Sequence, residues 1–326
     1  MCCLLGEGFL ASKATRLAAY GTYQSKGMDM ADLKNLKGSI VALVTPFAED
    51  GSVDFDALAR LIDFHLENET DALLVLGTTG ESSTMSHEED DAVCEFTVKR
   101  VAGRIPVIAG SGSNSTQTML EKSLSYQRLG VDGLLLITPY YNKSNEEGIY
   151  RHFTTVLDAV DIPCILYNVP GRTGCSISER NVARLAKHPH ALGIKEASGN
   201  MSYAARIARY VSDDFLMFSG NDDIVLPMMA LGASGVISVW ANVMPREVHR
   251  MVQDYLDGRR DEALEQQLRC MDLIDALFCE VNPIPVKGAL EMMGFGKAEY
   301  RQPLCELSEA GCARVKEALK EVGLIG

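Results

Sequence analysis

From residue 39 onward the chain alternates between two textures. Short apolar, β-branched runs recur: "SIVALVTP" from Ser39, "ALLVLG" from Ala72, "IPVIAGSG" from Ile105 and "GLLLITP" from Gly133. Four more follow: "CILYNVP" from Cys164, "ALGIKEAS" from Ala191, "FLMFSGND" from Phe215 and "GVISVW" from Gly235. Near-continuous apolar runs of this length suit parallel strands buried on both faces. Between them, apolar residues share one helical face, as do Phe55, Leu58, Leu61, Ile62 and Leu66, or Val248, Met251, Val252, Tyr255 and Leu256. Asp54 and Ser178 stand where side chains cap helix N-termini. Strand and helix in strict alternation predict an α/β fold, a (β/α)8 TIM barrel over residues 35–258. An open doubly wound sheet is the competing arrangement, but no GxGxxG follows the first strand.

After Gly258 the strand texture stops, and residues 259–280, 284–293 and 308–322 read as helices of a small C-terminal domain, 259–326. Residues 1–34 read as a flexible extension. Their apolar patch is broken by Glu7 and has no basic start, which makes a poor signal peptide. Their Ser, Thr and Ala content leaves a transit peptide as the weaker alternative, and a start upstream of Met28 or Met30 as the simpler one.

Composition narrows the function. Hydrophobic residues at 47% and charged residues at 23% fit a globular protein with a sizeable core. A formal charge of −13 argues against a nucleic-acid surface and against anionic lipid. An anionic ligand would need local attraction from a few Arg, Lys or backbone N–H groups. Nine cysteines without a CxxC pair fit reduced thiols in a cytoplasmic protein, with neither a disulfide framework nor a zinc site expected. No run approaches the roughly 18 apolar residues of a membrane helix.

The candidate chemistry starts at "LGIKEASG", which puts Lys195 inside a strand-like run. On an edge strand its head would reach water. A closed barrel has no edges, so an inward lysine would sit in a dry interior, where desolvation favours the neutral, nucleophilic amine. Such an amine forms a Schiff base with a carbonyl substrate. Barrel active sites lie at the C-terminal strand ends. That is where Thr78 and Thr79 of "GTTGE", Tyr140 and Tyr141 of "TPYYN", and Tyr167 and Arg172 of "LYNVPGRTG" fall. Phenols and hydroxyls can relay protons, although each tyrosine alone reads equally as amphipathic filler. The Gly-flanked turn could cradle a carboxylate on backbone N–H groups, and Arg172 could pair a second. In "SGNDD", Asp222 or Asp223 reads as a helix cap in preference to a metal ligand. His188 and His190 precede strand six, the wrong end for catalysis.

With these motifs in place, the sequence resembles the dihydrodipicolinate synthase family of pyruvate-dependent class I aldolases, a superfamily that includes N-acetylneuraminate lyase. The resemblance runs from about Gly38 to the C-terminus through "GSIVALVTPF", "GTTGES", "GRIPVIAGSG", "TPYYNK", "ILYNVPGRTGC", "GIKEASGN", "GVISVWANV" and "NPIPVK". It implies condensation of pyruvate with L-aspartate 4-semialdehyde to 4-hydroxy-tetrahydrodipicolinate, in lysine and diaminopimelate biosynthesis, without a cofactor or metal. Lys195 would form the Schiff base, and Tyr167, Thr78 and Tyr141 the proton relay. Thr79 and Ile237 match pyruvate-contacting positions, and Arg172 the arginine that holds the semialdehyde carboxylate. Tyr141 matches a residue that reaches into a neighbouring subunit's site, which implies a homotetramer built as a dimer of dimers. Sialic-acid and keto-sugar-acid lyases are the alternative, and a non-catalytic sensor a more distant one. The "GTTGE" turn and Arg172 point to the synthase. Lysine-inhibited relatives draw an effector site from positions matching Ser82, Ser83, His87, Asp90, Asn114, Thr118 and Tyr140. They carry a histidine and a glutamate where this chain has Asp90 and Thr118, so weak or absent inhibition by L-lysine is expected.

Overall fold

The computed structural model describes residues 33–326. Eight parallel strands close in chain order: β1 Gly38–Ala42, β2 Ala72–Val75, β3 Val107–Gly110, β4 Gly133–Ile137, β5 Cys164–Asn168, β6 Ala191–Glu196, β7 Leu216–Ser219 and β8 Gly235–Ser238. Between and after them run α1 Phe55–Glu67, α2 His87–Val101, α3 Thr116–Leu129, α4 Glu146–Leu157, α5 Glu179–Leu185, α6 Met201–Ile207, α7 Val225–Ala230 and α8 Pro245–Leu256. This is the expected (β/α)8 barrel, with one strand in each predicted run.

Alternation along each strand sorts side chains into two cores. In β2, Ala72 and Leu74 face the barrel interior, whereas Leu73 and Val75 pack against the helices. Because both faces are buried, the strands carry no polar stripe. The β8–β1 seam is tight: a Cβ at Gly235 would lie 1.9 Å from the Gly38 carbonyl oxygen, so only glycine fits. The predicted caps form, with Asp54 accepting from the Ala57 N–H and Ser178 from the Asn181 N–H. Each stabilises its helix by about 1 kcal/mol.

The extension predicted over 1–34 lies outside the described residues, except for Leu33 and Lys34. Leu33 is fully buried in the interior core with Leu36, Ile108 and Ile165, and so belongs to the folded unit. Beyond the barrel come α9 Arg260–Arg269, α10 Met271–Leu277, α11 Ile284–Met292 and α12 Glu309–Glu321. The helix predicted over 259–280 is thus two, divided at Cys270. These helices hold the barrel's C-terminal loops. Gln267 donates to the Asp222 and Asp223 carbonyls, and Lys287 of α11 reaches Glu81 in the loop after β2.

Candidate active site

A register shift in the β5–β6 pairing, where Cys164 meets Ala191 and Ile165 meets Gly193, breaks the alternation, so that Leu192 faces the interior while Ile194 packs outward, and Lys195, next after Ile194, faces inward. Register places it between Tyr167 of β5 and Phe218 of β7. Lys195 is 6% exposed, and its Nζ lies 4.5 Å from the centroid of the Tyr167 ring. Burial lowers its pKa to about 8, opposed by the Asp222 charge and helped by Arg172. At pH 7 about one amine in ten is then neutral, far more than for a solvated lysine. Gly220 makes room for this side chain, since a Cβ there would lie 3.1 Å from Lys195 Cε and 2.5 Å from Ala197 Cβ.

Burial pushes the Tyr167 phenol up, opposed by the Arg172 charge and the Thr78 hydroxyl. It therefore stays protonated near neutral pH, as a proton donor must. A cavity of about 200 Å³ in front of Lys195 is lined by Thr78, Thr79, Tyr167, Arg172, Asn221, Phe278 and Asn282, among others. Arg172 comes from a single helical turn, Pro170–Thr173, after β5, and its Nη2 donates to the Asn282 carbonyl at 3.4 Å. Ile237 is buried in the barrel interior with Tyr167 and Leu135.

The loop after β2 is bent by two non-glycine residues in the left-handed region, Leu76 at φ 56° and Glu81 at φ 53°. The Gly80 and Glu81 N–H groups donate back to the Gly77 and Thr78 carbonyls. The Thr78 and Thr79 N–H groups have no acceptor among the described residues. Two free N–H groups beside two hydroxyls make a fitting carboxylate cradle.

The helix-cap reading of "SGNDD" is corrected. The α7 N-cap is Ile224, without a side-chain cap, while Asp222 Oδ2 accepts from the Val239 and Trp240 N–H groups at 3.0 and 2.9 Å. Asp222 thus ties the loop after β7 to the turn after β8, close enough for its charge to act on Lys195. His188 and His190 do lie at the far end, bonded to Asp158 and to the Leu157 carbonyl.

Tyr141 stands apart from Lys195: it is 92% exposed, with φ 67°. Tyr140 lines a second cavity of about 370 Å³ with Ser82, Ser83, His87, Asp90 and Thr118. Thr78, Tyr167 and Arg172 line both cavities, which makes them neighbours through one wall. Asn114 does not line this cavity; its carbonyl accepts from Asn142 Nδ2 at 3.0 Å. Sequence reasoning missed Lys122, whose Nζ pairs with the buried Asp90 carboxylate at 2.9 Å. It also missed Asn282, Glu81 and Lys287. Lys287 did carry a signal, a charge within the apolar run "NPIPVKGAL".

A (β/α)8 barrel with an amine desolvated beside a phenol at its C-terminal mouth defines a class, the barrel enzymes of carbonyl chemistry. The chain belongs to the dihydrodipicolinate synthetase family, whose model matches residues 35–322. It is 50% identical over 289 residues to the 4-hydroxy-tetrahydrodipicolinate synthase of Pelobacter propionicus, covering 89% of this chain and 99% of that one. It also resembles the crystal structure of the Aquifex aeolicus dihydrodipicolinate synthase, with TM-score 0.86, 47% identity and coverage of 88% and 98%. The chloride-inhibited synthase of Acinetobacter baumannii, solved in complex with pyruvate, matches with TM-score 0.87, 40% identity and coverage of 89% and 100%. These names set aside the sialic-acid and keto-sugar-acid lyase alternatives.

Proposed function

We propose that this chain condenses pyruvate with L-aspartate 4-semialdehyde to 4-hydroxy-tetrahydrodipicolinate, as the names of its relatives indicate. The observation that carries the mechanism is the buried Lys195 amine, its pKa lowered to about 8, lying over the Tyr167 ring. The neutral amine attacks the pyruvate ketone, and the oxygen leaves as water after protonation by the Tyr167 phenol. The resulting iminium loses a methyl proton to the Tyr167 phenolate, which gives a neutral enamine. The enamine carbon attacks the semialdehyde's aldehyde, whose oxygen takes a proton. The substrate's own amine then adds to the imine carbon, frees Lys195 and closes the ring.

The Thr78 and Thr79 loop is suited to the pyruvate carboxylate, with Ile237 beneath it. Arg172 at the mouth is suited to the semialdehyde carboxylate. Thr78 and Tyr141 extend the Tyr167 relay, with Tyr141 supplied by a second subunit. The assembly is a homotetramer, a dimer of dimers, consistent with a Tyr141 that is exposed among the described residues. No described helix is long and apolar enough to cross a membrane, and the reduced-thiol pattern favours the cytoplasm.

Borohydride reduction with pyruvate, followed by peptide mass analysis, tests the reading. One reduced pyruvyl adduct is expected, on Lys195 alone. Labelling elsewhere, or nowhere, overturns the Schiff-base assignment.

A further inference from the structure

The segment after α10 enters the Lys195 cavity from outside the barrel. Asn282 is buried and lines that cavity. Its Nδ2 donates to Thr79 Oγ1 at 2.9 Å, across 203 residues of sequence. Five residues on, Lys287 Nζ holds Glu81 Oε1 at 2.6 Å and the Glu299 carbonyl at 2.5 Å, with its charge over the Phe47 ring at 4.4 Å. Glu81 is the second of the two left-handed residues in the loop after β2, so the same segment grips that loop at Thr79 and again at Glu81.

A hydroxyl has one hydrogen to donate. When an amide N–H donates to the Thr79 oxygen, the hydroxyl hydrogen is left to point elsewhere, and Thr79 lines the cavity. We propose that Asn282 is a positioning residue that orients the Thr79 hydroxyl as a donor to the pyruvate carboxylate, with the Lys287–Glu81 pair fixing the loop around it. This rests on Thr79 facing pyruvate, as in the proposed function. In this proposal Asn282 acts through the Thr79 hydroxyl, not on the substrate's reacting atoms.

The polarity of the bond makes the idea testable. Asn282→Asp keeps size and shape but accepts where asparagine donates, so it captures the Thr79 proton. Asn282→Ala only releases it. The aspartate also brings a negative charge beside the anion site, which weakens pyruvate binding under either role, so the deciding comparison is with Thr79→Ala: a filler role predicts that Asn282→Ala adds its effect to that of Thr79→Ala, the orientation role that it adds none.

The experiment is borohydride trapping on the full chain, read as the pyruvate concentration that half-saturates labelling of Lys195. Melting curves establish that each variant is folded. For Asn282→Ala the half-saturating concentration is expected to rise about tenfold, in keeping with a hydrogen bond to a charged group, and for Asn282→Asp further. Asn282→Ala combined with Thr79→Ala is expected to match Thr79→Ala within about twofold, since Asn282 has no route once the hydroxyl is gone. Unchanged half-saturation in Asn282→Ala, a milder aspartate variant, or additive effects in the double variant would each overturn the proposal. If the alanine variant does not fold, Asn282→Ser takes its place, alone and with Thr79→Ala, and the same additivity decides. Failure of wild-type Lys195 to label at all sinks instead the Schiff-base reading beneath it.

Discussion

Two neighbouring groups shift the protonation of the Lys195 amine in opposite directions. Burial and Arg172 favour the neutral amine, whereas the Asp222 charge raises the pKa back toward that of a free lysine. Asp222 is itself buried, which pushes its carboxyl above the ordinary range, an effect that hydrogen bonds from Ser238, Trp240 and Val239 and the Lys195 charge offset only in part. An asparagine in its place would keep an oxygen for the two backbone donors while losing the charge. The substitution Asp222→Asn is therefore expected to lower the Lys195 pKa further and to move the pH curve of pyruvate trapping toward acid. The sign follows because the amine must be neutral to attack, and a lower pKa makes it neutral at lower pH. The curve is measured by trapped adduct against pH. A curve that does not move would mean that the Asp222 carboxyl carries no charge next to Lys195.

At the scale of elements, the barrel was legible because parallel strands buried on both faces must be apolar throughout, and the "SIVALVTP" and "CILYNVP" runs say so without context. Lys195 was legible as the exception within such a run. Asp222 was misread because an acid ahead of a helix looks like a cap, and nothing local shows that the Val239 and Trp240 amides just after β8 lie closer. The partners of Thr79 and Glu81 lie 203 and 206 residues away, and only tertiary packing joins them. Lys122 was hidden for a related reason: on an amphipathic helix a lysine reads as solvated. Its pairing with Asp90 matters for the second cavity, because the carboxylate available to an incoming ammonium is already neutralised. A bound L-lysine would set a second cation beside Lys122 with no further acid to meet it, at a cost that low dielectric magnifies. Inhibition by L-lysine in a steady-state assay is accordingly expected only at millimolar concentration or above, and a micromolar inhibition constant would refute this account. Lys122→Met should strengthen inhibition, by releasing Asp90 to an outside amine.

At the scale of the molecule, a chain with a formal charge of −13 attracts an anionic substrate only through what it concentrates at the barrel mouth. Arg172, Lys195 and the Thr78 and Thr79 N–H groups, without acceptors among the described residues, would supply this, yet the proposed relay is incomplete among the described residues of one chain. Tyr141 is exposed and held at φ 67°, a conformation that a bulky residue adopts only when something else rewards it. If it completes a partner's site, Tyr141→Phe should lower turnover about a hundredfold, as expected for a lost relay group, with little change in pyruvate trapping. Subunit mixing then separates donation across an interface from action within the chain. Lys195→Ala homodimers have no nucleophile, and Tyr141→Phe homodimers lack the phenol. Dissociated, mixed and reassociated, about half the dimers are hybrids, each with one site that joins an intact lysine to an intact phenol from opposite subunits. About a quarter of wild-type activity should return, a gain neither parent can supply. Activity that stays at the average of the two parents would place Tyr141 in its own subunit's site or outside the reaction altogether.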